Sequence, residues 1–189
     1  AARDGREPAA ILDFGAGAGN SIRYLQEQFP RSHLICTDVS QKCLDLAKQR
    51  FPHDVEFALI EGQSLPAREA SVDLAFAACV FHHIDHSEHV RWLTEMRRVT
   101  RRGGRLVIFE HNPLNPLTLH VVNNCPFDEN ARLMLASTLR KRVEAAGWRN
   151  VEVRYHVFFP RLLAGLRNLE AGLAMVPLGA QYSVYADQA

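Results

Sequence analysis

The sequence predicts an α/β fold, a seven-stranded and mostly parallel sheet with helices on both faces. Three observations carry that expectation. Short apolar runs alternate with amphipathic helical patterns, as βαβ units require. The run Val72 to Ala78 is almost continuously apolar, which suits a central strand covered on both sides. A glycine-rich turn, Gly15-Ala16-Gly17-Ala18-Gly19, stands between the first apolar run and the first helical pattern.

Taken in order, the first strand is Ala10 to Phe14, and a helix from about Asn20 to Phe29 ends at Pro30. The second strand is His33 to Asp38. Ser40 is placed to cap a helix reaching Arg50, in which Cys43, Leu44 and Ala47 recur at helical spacing. Val55 to Ile60 forms the third strand and Val72 to Ala78 the fourth. Asp85 and Glu88 have the spacing of a capping box for a helix ending near Val99, and Gly103-Gly104 breaks the pattern before a fifth strand, Arg105 to Glu110. A Pro/Asn-rich loop follows from His111 to Pro116, then a helix from Asp128 to Ala146, stopped by Gly147. The sixth strand is Val151 to Val157, a helix lies within Arg161 to Ala174, and Gln181 to Ala186 makes the seventh strand. No repeat or linker interrupts this series, so residues 1–189 are expected to be one domain, with the elements facing the substrate inside 111–180.

Composition narrows the function classes. With 189 residues, 47% hydrophobic and 23% charged, the chain has the profile of an ordinary globular domain. A formal net charge of +1 offers no general attraction to nucleic acid or acidic membranes. Cys36, Cys43, Cys79 and Cys125 form no CxxC pair and no disulfide framework, and no segment has the length of a membrane span. The first residues contain no apolar leader core, so a cytoplasmic protein is expected.

The turn carries the chemistry. Glycines at positions 15, 17 and 19 let backbone and ligand approach where side chains would intrude. About twenty residues on, Asp38 ends the second strand, where a carboxylate can accept hydrogen bonds from ribose hydroxyls. Together they indicate a nucleoside cofactor on a Rossmann-like sheet. Nicotinamide enzymes carry GxGxxG, whereas this chain has Asn20 in place of the third fingerprint glycine and reads Asp13-Phe14-Gly15-Ala16-Gly17-Ala18-Gly19.

That pattern resembles motif I of the class I S-adenosylmethionine-dependent methyltransferases, of the small-molecule, UbiE-like type. The resemblance continues through Thr37-Asp38-Val39-Ser40, Glu61-Gly62-Gln63-Ser64-Leu65-Pro66, Ser71 to Ile84 with its His82-His83 pair, and Leu93 to Phe109, in the family's order. Two positions depart from the pattern: Glu61 replaces the usual Asp, and Arg101-Arg102 replaces Arg-Pro. The resemblance implies S-adenosylmethionine as cofactor. It places Asp13 near the methionine amino group, Gly15, Ala16, Gly17 and Gly19 against the methionine part, and Asp38 on the ribose. Val39 would pack on adenine, with Glu61, Gly62 and Gln63 along its edge and Cys79 at the end of the fourth strand beside the cofactor.

Methyl transfer from a sulfonium is an in-line displacement, so holding the nucleophile about 3–3.5 Å from the methyl supplies much of the catalysis. A base is needed only where the nucleophile carries a proton. Its candidates lie at the carboxyl ends of the fourth and fifth strands: His111 first, then His82, with His83, Glu110 and Asn112 shaping the acceptor site. His82, His83, His86 and His89 could share a face as metal ligands, but the histidine pair occurs in this family without metal, so none is expected. Cys79 follows Ala78 rather than Pro, which favours a small packing residue over a nucleophile. Arg97, Arg98, Arg101, Arg102 and Arg105 sit at a helix end and a strand start, away from the active edge of an α/β sheet, and read as a solvated face. The expected acceptor is a small molecule, with the apolar stretches Phe158 to Leu163 and Leu173 to Leu178 leaving room for an apolar or lipid-linked one. The alternatives are a non-catalytic module that binds the same cofactor and a nicotinamide-dependent oxidoreductase.

Overall fold

The computed structural model describes residues 7–189. Among them, seven strands form one sheet in the order β3-β2-β1-β4-β5-β7-β6. These are β1 (Ala10–Phe14), β2 (His33–Asp38), β3 (Val55–Leu59), β4 (Val72–Ala78), β5 (Thr100–His111), β6 (Arg149–His156) and β7 (Gln181–Asp187). The first five run parallel, and β7 inserts antiparallel between β5 and β6. The order reverses direction between β1 and β4, so their carboxyl ends diverge and open a crevice where open α/β sheets take ligands.

Alternation along the strands sends side chains to two separate cores. On one face Leu12, Ala75, Leu106, Ile108 and Val184 pack with Leu93, Met96 and Leu139 of helices α3 (His89–Val99) and α5 (Ala136–Ala145). On the other, Ile11, Leu34, Cys36 and Leu74 pack with Ile22 and Leu25 of α1 (Ile22–Gln28) and Ala47 of α2 (Gln41–Arg50). Helices therefore cover both faces, as expected. On the second face, beyond α1 and α2, the half-buried Phe76, Val107, Phe109 and Tyr185 of β4, β5 and β7 line a cavity.

Several boundaries differ from the sequence reading, each for a local reason. Asp85 and Glu88 make no capping box: Asp85 Oδ1 accepts the Ser87 amide and hydroxyl, and α3 starts after Glu88, whose side chain caps nothing. The helix expected from Asp128 begins only at Ala136, because the chain before it is held by tertiary bonds. There the Arg132 amide donates to the His82 carbonyl at 2.7 Å and the Tyr182 hydroxyl to the Met134 carbonyl at 3.0 Å. Strand β5 starts at Thr100, with a register shift that takes in Gly103-Gly104. The helix expected within 161–174 is a kinked 3-10 segment, Arg161–Leu169, followed by the short α6 (Glu170–Leu173). An unexpected helix α4 (Pro116–Asn123) follows β5. Asn115 caps it, its Oδ1 accepting the Leu117 and Thr118 amides at 3.0 and 3.1 Å, and Pro116 opens it with a φ already suited to a helix.

Candidate active site

The glycine turn is pinned to the end of β2. The Thr37 carbonyl accepts both the Gly15 and Ala16 amides, at 2.8 and 3.0 Å, while the Thr37 hydroxyl donates to the Asp13 carbonyl at 3.2 Å. Asp38 completes the clasp: one carboxylate oxygen accepts the Gly17 amide and the other the Ser40 amide, both at 2.8 Å. From α2, Arg50 reaches back to donate to the Ala18 carbonyl and to Asn20 Oδ1. Ser40 also caps α2 by accepting the Cys43 amide, so the strand that supplies Asp38 is tied at once to its helix.

Gly15 and Gly17 have left-handed backbone conformations, φ +72° and +54°, that other L-residues adopt only with strain. A Cβ on Gly15 would meet Val80 Cγ1 at 2.6 Å, so the turn lies flush against the segment after β4. On Gly17 a Cβ would meet nothing within 4 Å, which leaves the middle of the turn open to a ligand. Beside it Val39 is 72% exposed, an apolar side chain available to a flat partner. Asp13 lies beneath the turn, buried and accepting a hydrogen bond from the Ser21 hydroxyl. Burial pushes its carboxyl up to about 7, with the Ser21 bond acting downward and the Asp38 charge upward.

A cavity of about 1410 Å³ runs from this turn past Asp38, Val39 and Ile60 to Cys79, Val80, His83 and Ile84. Its size exceeds the roughly 300–1,000 Å³ usual for small-ligand sites, because it continues along the sheet face at Phe76, Val107 and Phe109. Of the residues singled out in the sequence, Gly15, Ala16, Gly17, Asp38, Val39, Cys79 and His83 line it. Asp13 lies under the turn, while Glu61, Gly62 and Gln63 are exposed and outside the lining, where Ile60 and Cys43 stand instead. Gly19 packs against α1 and α2: a Cβ there would meet Ile22 Cδ1 at 2.7 Å. Sequence reasoning missed Ser21, Val80, Ile84 and Phe109; of these, only Ser21, one turn after the glycines, carried a local signal.

At the carboxyl ends of β4 and β5 the polar groups form a second layer. Glu110 is buried, with Oε1 accepting the Val80 and Phe81 amides at 3.1 and 2.7 Å and Oε2 2.6 Å from His82 Nδ1. His82, 1% exposed, does not line the cavity, and Asp128 Oδ1 lies 3.4 Å from its Nε2. Burial alone would lower the His82 pKa, but the Glu110 hydrogen bond and charge, with Asp128, raise it above the usual imidazole value. His83 and His111 are both held below that value, by burial first and then by the neighbouring His82. The His111 ring lies 5.3 Å from that of His82, on the same side of β5 as Phe109 and Val107 by strand alternation. Asn112 is fully engaged in structure: its amide group donates to the Pro177 and Gly179 carbonyls at 3.1 and 2.8 Å and its oxygen accepts the Leu114 amide. The Cys79 thiol is pushed up to about 12, chiefly by burial and then by Glu110 and Asp128, which keeps it protonated and a poor nucleophile. Three of the arginines are paired toward the opposite end of the sheet, Arg98 with Glu95, Arg101 with Asp73 and Arg105 with Asp187; of these Arg105, read from the sequence as part of a solvated face, is half-buried and lines the far end of the cavity.

Comparison with known proteins matches residues 11–104 to a family described as a methyltransferase domain. The chain belongs to the class I S-adenosylmethionine-dependent methyltransferases. It is 27% identical to the malonyl-[acyl-carrier protein] O-methyltransferase of Geobacter sulfurreducens, over 90% of this chain and 69% of that one. It is 36% identical to the demethylmenaquinone methyltransferase of Thermotoga maritima over 57% of this chain, and spans only 46% of that enzyme's length. With the trans-aconitate 2-methyltransferase of Azoarcus it shares 32% identity over 75% of this chain and 54% of the relative. In fold it is similar to a methyltransferase of Thermotoga maritima described as a possible histamine N-methyltransferase, with TM-score 0.72 and 18% identity over 97% of this chain and 83% of the other. It also resembles phosphoethanolamine N-methyltransferase 2 of Haemonchus contortus in complex with S-adenosyl-L-methionine, with TM-score 0.68 and 16% identity over 97% of this chain and 49% of the other.

The glycines can be tested directly. Gly17→Ala is expected to cost roughly 1–2 kcal/mol, the strain of a left-handed alanine. Gly15→Ala should cost more, because the stiff Val80 side chain must also give way. Denaturant titration of both variants checks the order, and an equal loss would contradict the close approach at Gly15.

Proposed function

We propose that this chain transfers the methyl group of S-adenosylmethionine to a small-molecule acceptor, held where the cavity passes Cys79, Val80 and His83. The observation that carries this reading is the open middle of the glycine turn, which lies beside Asp38 and Val39 on the wall of one cavity. Those residues suit the cofactor: the Asp38 oxygens retain lone pairs for ribose hydroxyls, Val39 offers an apolar surface to adenine, and Asp13, buried beneath the turn, places a carboxylate charge under the region an ammonium would occupy. Glu61, Gly62 and Gln63 would take part from outside the present lining. When bound, the cofactor supplies an electrophilic sulfonium methyl.

The chain's own part is to place the acceptor and, where the acceptor carries a proton, to receive that proton. His111 is the residue we assign to the second task, since its depressed pKa keeps the imidazole neutral at neutral pH. Neither ring is among the residues that line the cavity: His111 stands at its edge, two residues beyond Phe109, and His82 lies 5.3 Å behind it. Val80, Ile84 and Phe109 form an apolar wall around this region, which favours an acceptor with an apolar part. Relatives named for methylating malonyl-[acyl-carrier protein], demethylmenaquinone and trans-aconitate support a small or carrier-linked acceptor, and the carboxylic or quinone chemistry in those names gives the first panel to assay.

Calorimetry with S-adenosylhomocysteine tests the cofactor assignment. The wild-type chain is expected to bind it and Asp38→Ala to lose most of that affinity; NAD(P) binding in its place would favour an oxidoreductase. Raising the pH from about 6 to about 8 ionises Asp13 and should tighten binding about tenfold, the gain in ionised fraction across a pKa near 7. Asp13→Asn should flatten that dependence. For an acceptor found in the panel, His111→Ala is expected to lower kcat by about 10²-fold or more with cofactor affinity unchanged. An unaltered kcat would remove His111 from the chemistry, and cofactor binding without turnover on any acceptor would favour a binding module.

A further inference from the structure

The histidine pair after β4 is more than an edge of the cavity. His82 Nδ1 and Glu110 Oε2 lie 2.6 Å apart, so Nδ1 carries the proton it donates to the carboxylate, and in the neutral ring Nε2 keeps its lone pair for a ligand. That Nε2 is buried and has no hydrogen-bond partner. It faces Asp128 Oδ1 at 3.4 Å, an acceptor opposite an acceptor, and His83 Nε2 faces the same oxygen at 3.5 Å. The three donor atoms lie within 4.8 Å of one another. A proton on Nε2 would not relieve the contact well, because charge-assisted N–H···O bonds close to about 2.7–2.9 Å.

The two nitrogen-to-oxygen spacings, 3.4 and 3.5 Å, fit a shared cation better. Zinc holds nitrogen and oxygen ligands at about 2.0–2.1 Å, which sets adjacent tetrahedral ligand atoms about 3.3–3.4 Å apart. We propose that His82 Nε2, His83 Nε2 and Asp128 Oδ1 form a zinc site, with the Glu110 carboxylate orienting His82 from behind. A carboxylate bonded to the far nitrogen of a ligating histidine fixes its tautomer and strengthens it as a donor. Glu110 is itself fixed by the Val80 and Phe81 amides, so the arrangement is rigid before the ion arrives. Because His83 also lines the cavity, the fourth position is open on that side to water or to an anionic oxygen of the acceptor. The site departs from the sequence expectation of no metal, and it does not depend on the methyl-transfer reading.

The test uses the full chain, stripped with a chelator, dialysed against zinc and assayed for bound metal. About one zinc per chain is expected, with cobalt substitution giving the intense visible bands of a tetrahedral ion. His83→Ala and Asp128→Ala should each lower zinc affinity by at least about tenfold, and Glu110→Gln, which leaves all three ligands in place, by about 10–100-fold. His86→Ala, on an exposed side chain outside the cluster, should leave it unchanged. Substoichiometric zinc in the wild-type chain, or equal affinity in the His83 and Asp128 variants, would overturn the proposal. S-adenosylhomocysteine affinity measured on the same samples keeps a failure of this site distinct from a failure of the cofactor site.

Discussion

The pair of hydrogen bonds that the Thr37 carbonyl accepts from the Gly15 and Ala16 amides, closed by the Asp38 carboxylate on the Gly17 amide, is the constraint on which the site depends. A turn rich in glycine loses more conformational freedom on ordering than any other kind, so it needs several fixed partners to hold one shape. Here they come from the end of β2, the strand that also supplies the cavity-lining carboxylate of Asp38 and, one residue on, exposed Val39. Turn, acid and apolar face therefore share a single register. A slip of β2 against β1 by one residue would take the Thr37 carbonyl and the Asp38 carboxylate out of reach of the turn amides they hold.

The charge arrangement has two layers with different duties. Asp13 and Asp38 lie at the turn, one buried beneath it and the other on the cavity wall. Glu110, His82 and Asp128 lie deeper at the carboxyl ends of β4 and β5, and bind the segment after β4 to the loop before α5. Because Glu110 holds the Val80 and Phe81 amides, and Val80 lies against Gly15, the two layers are mechanically joined. A displacement in the acceptor layer would be felt at the turn.

How much of this was legible in the sequence depends on distance along the chain. The turn, Asp13, Asp38 and the strands that carry them lie within some thirty residues, where spacing alone sets geometry, and they emerged where expected. The same is true of the strand β4 run and of Ser40 capping α2. What was not legible arises from long-range closure. Asp128, at the end of a short 3-10 turn (Pro126–Asp128), reaches His82 because the irregular residues 131–135 bond to His82 and Tyr182, and no local pattern announces that. Helix α4 was hidden by its own signals, since Asn115-Pro116 serves equally as a turn or as a cap followed by a first helical proline. The exposed position of Glu61 to Gln63 likewise follows from how β3 ends, at Leu59, rather than from the residues themselves.

The central claim is that this turn and the end of β2 form one cofactor cradle. It is tested most directly by an amide-resolved NMR titration with S-adenosylhomocysteine. The largest shifts should fall on Gly15 to Gly19, Asp38, Val39, Ile60 and Cys79, with little change at Arg98 and Arg101 across the sheet. Shifts centred elsewhere, or none at saturating ligand, would contradict the account.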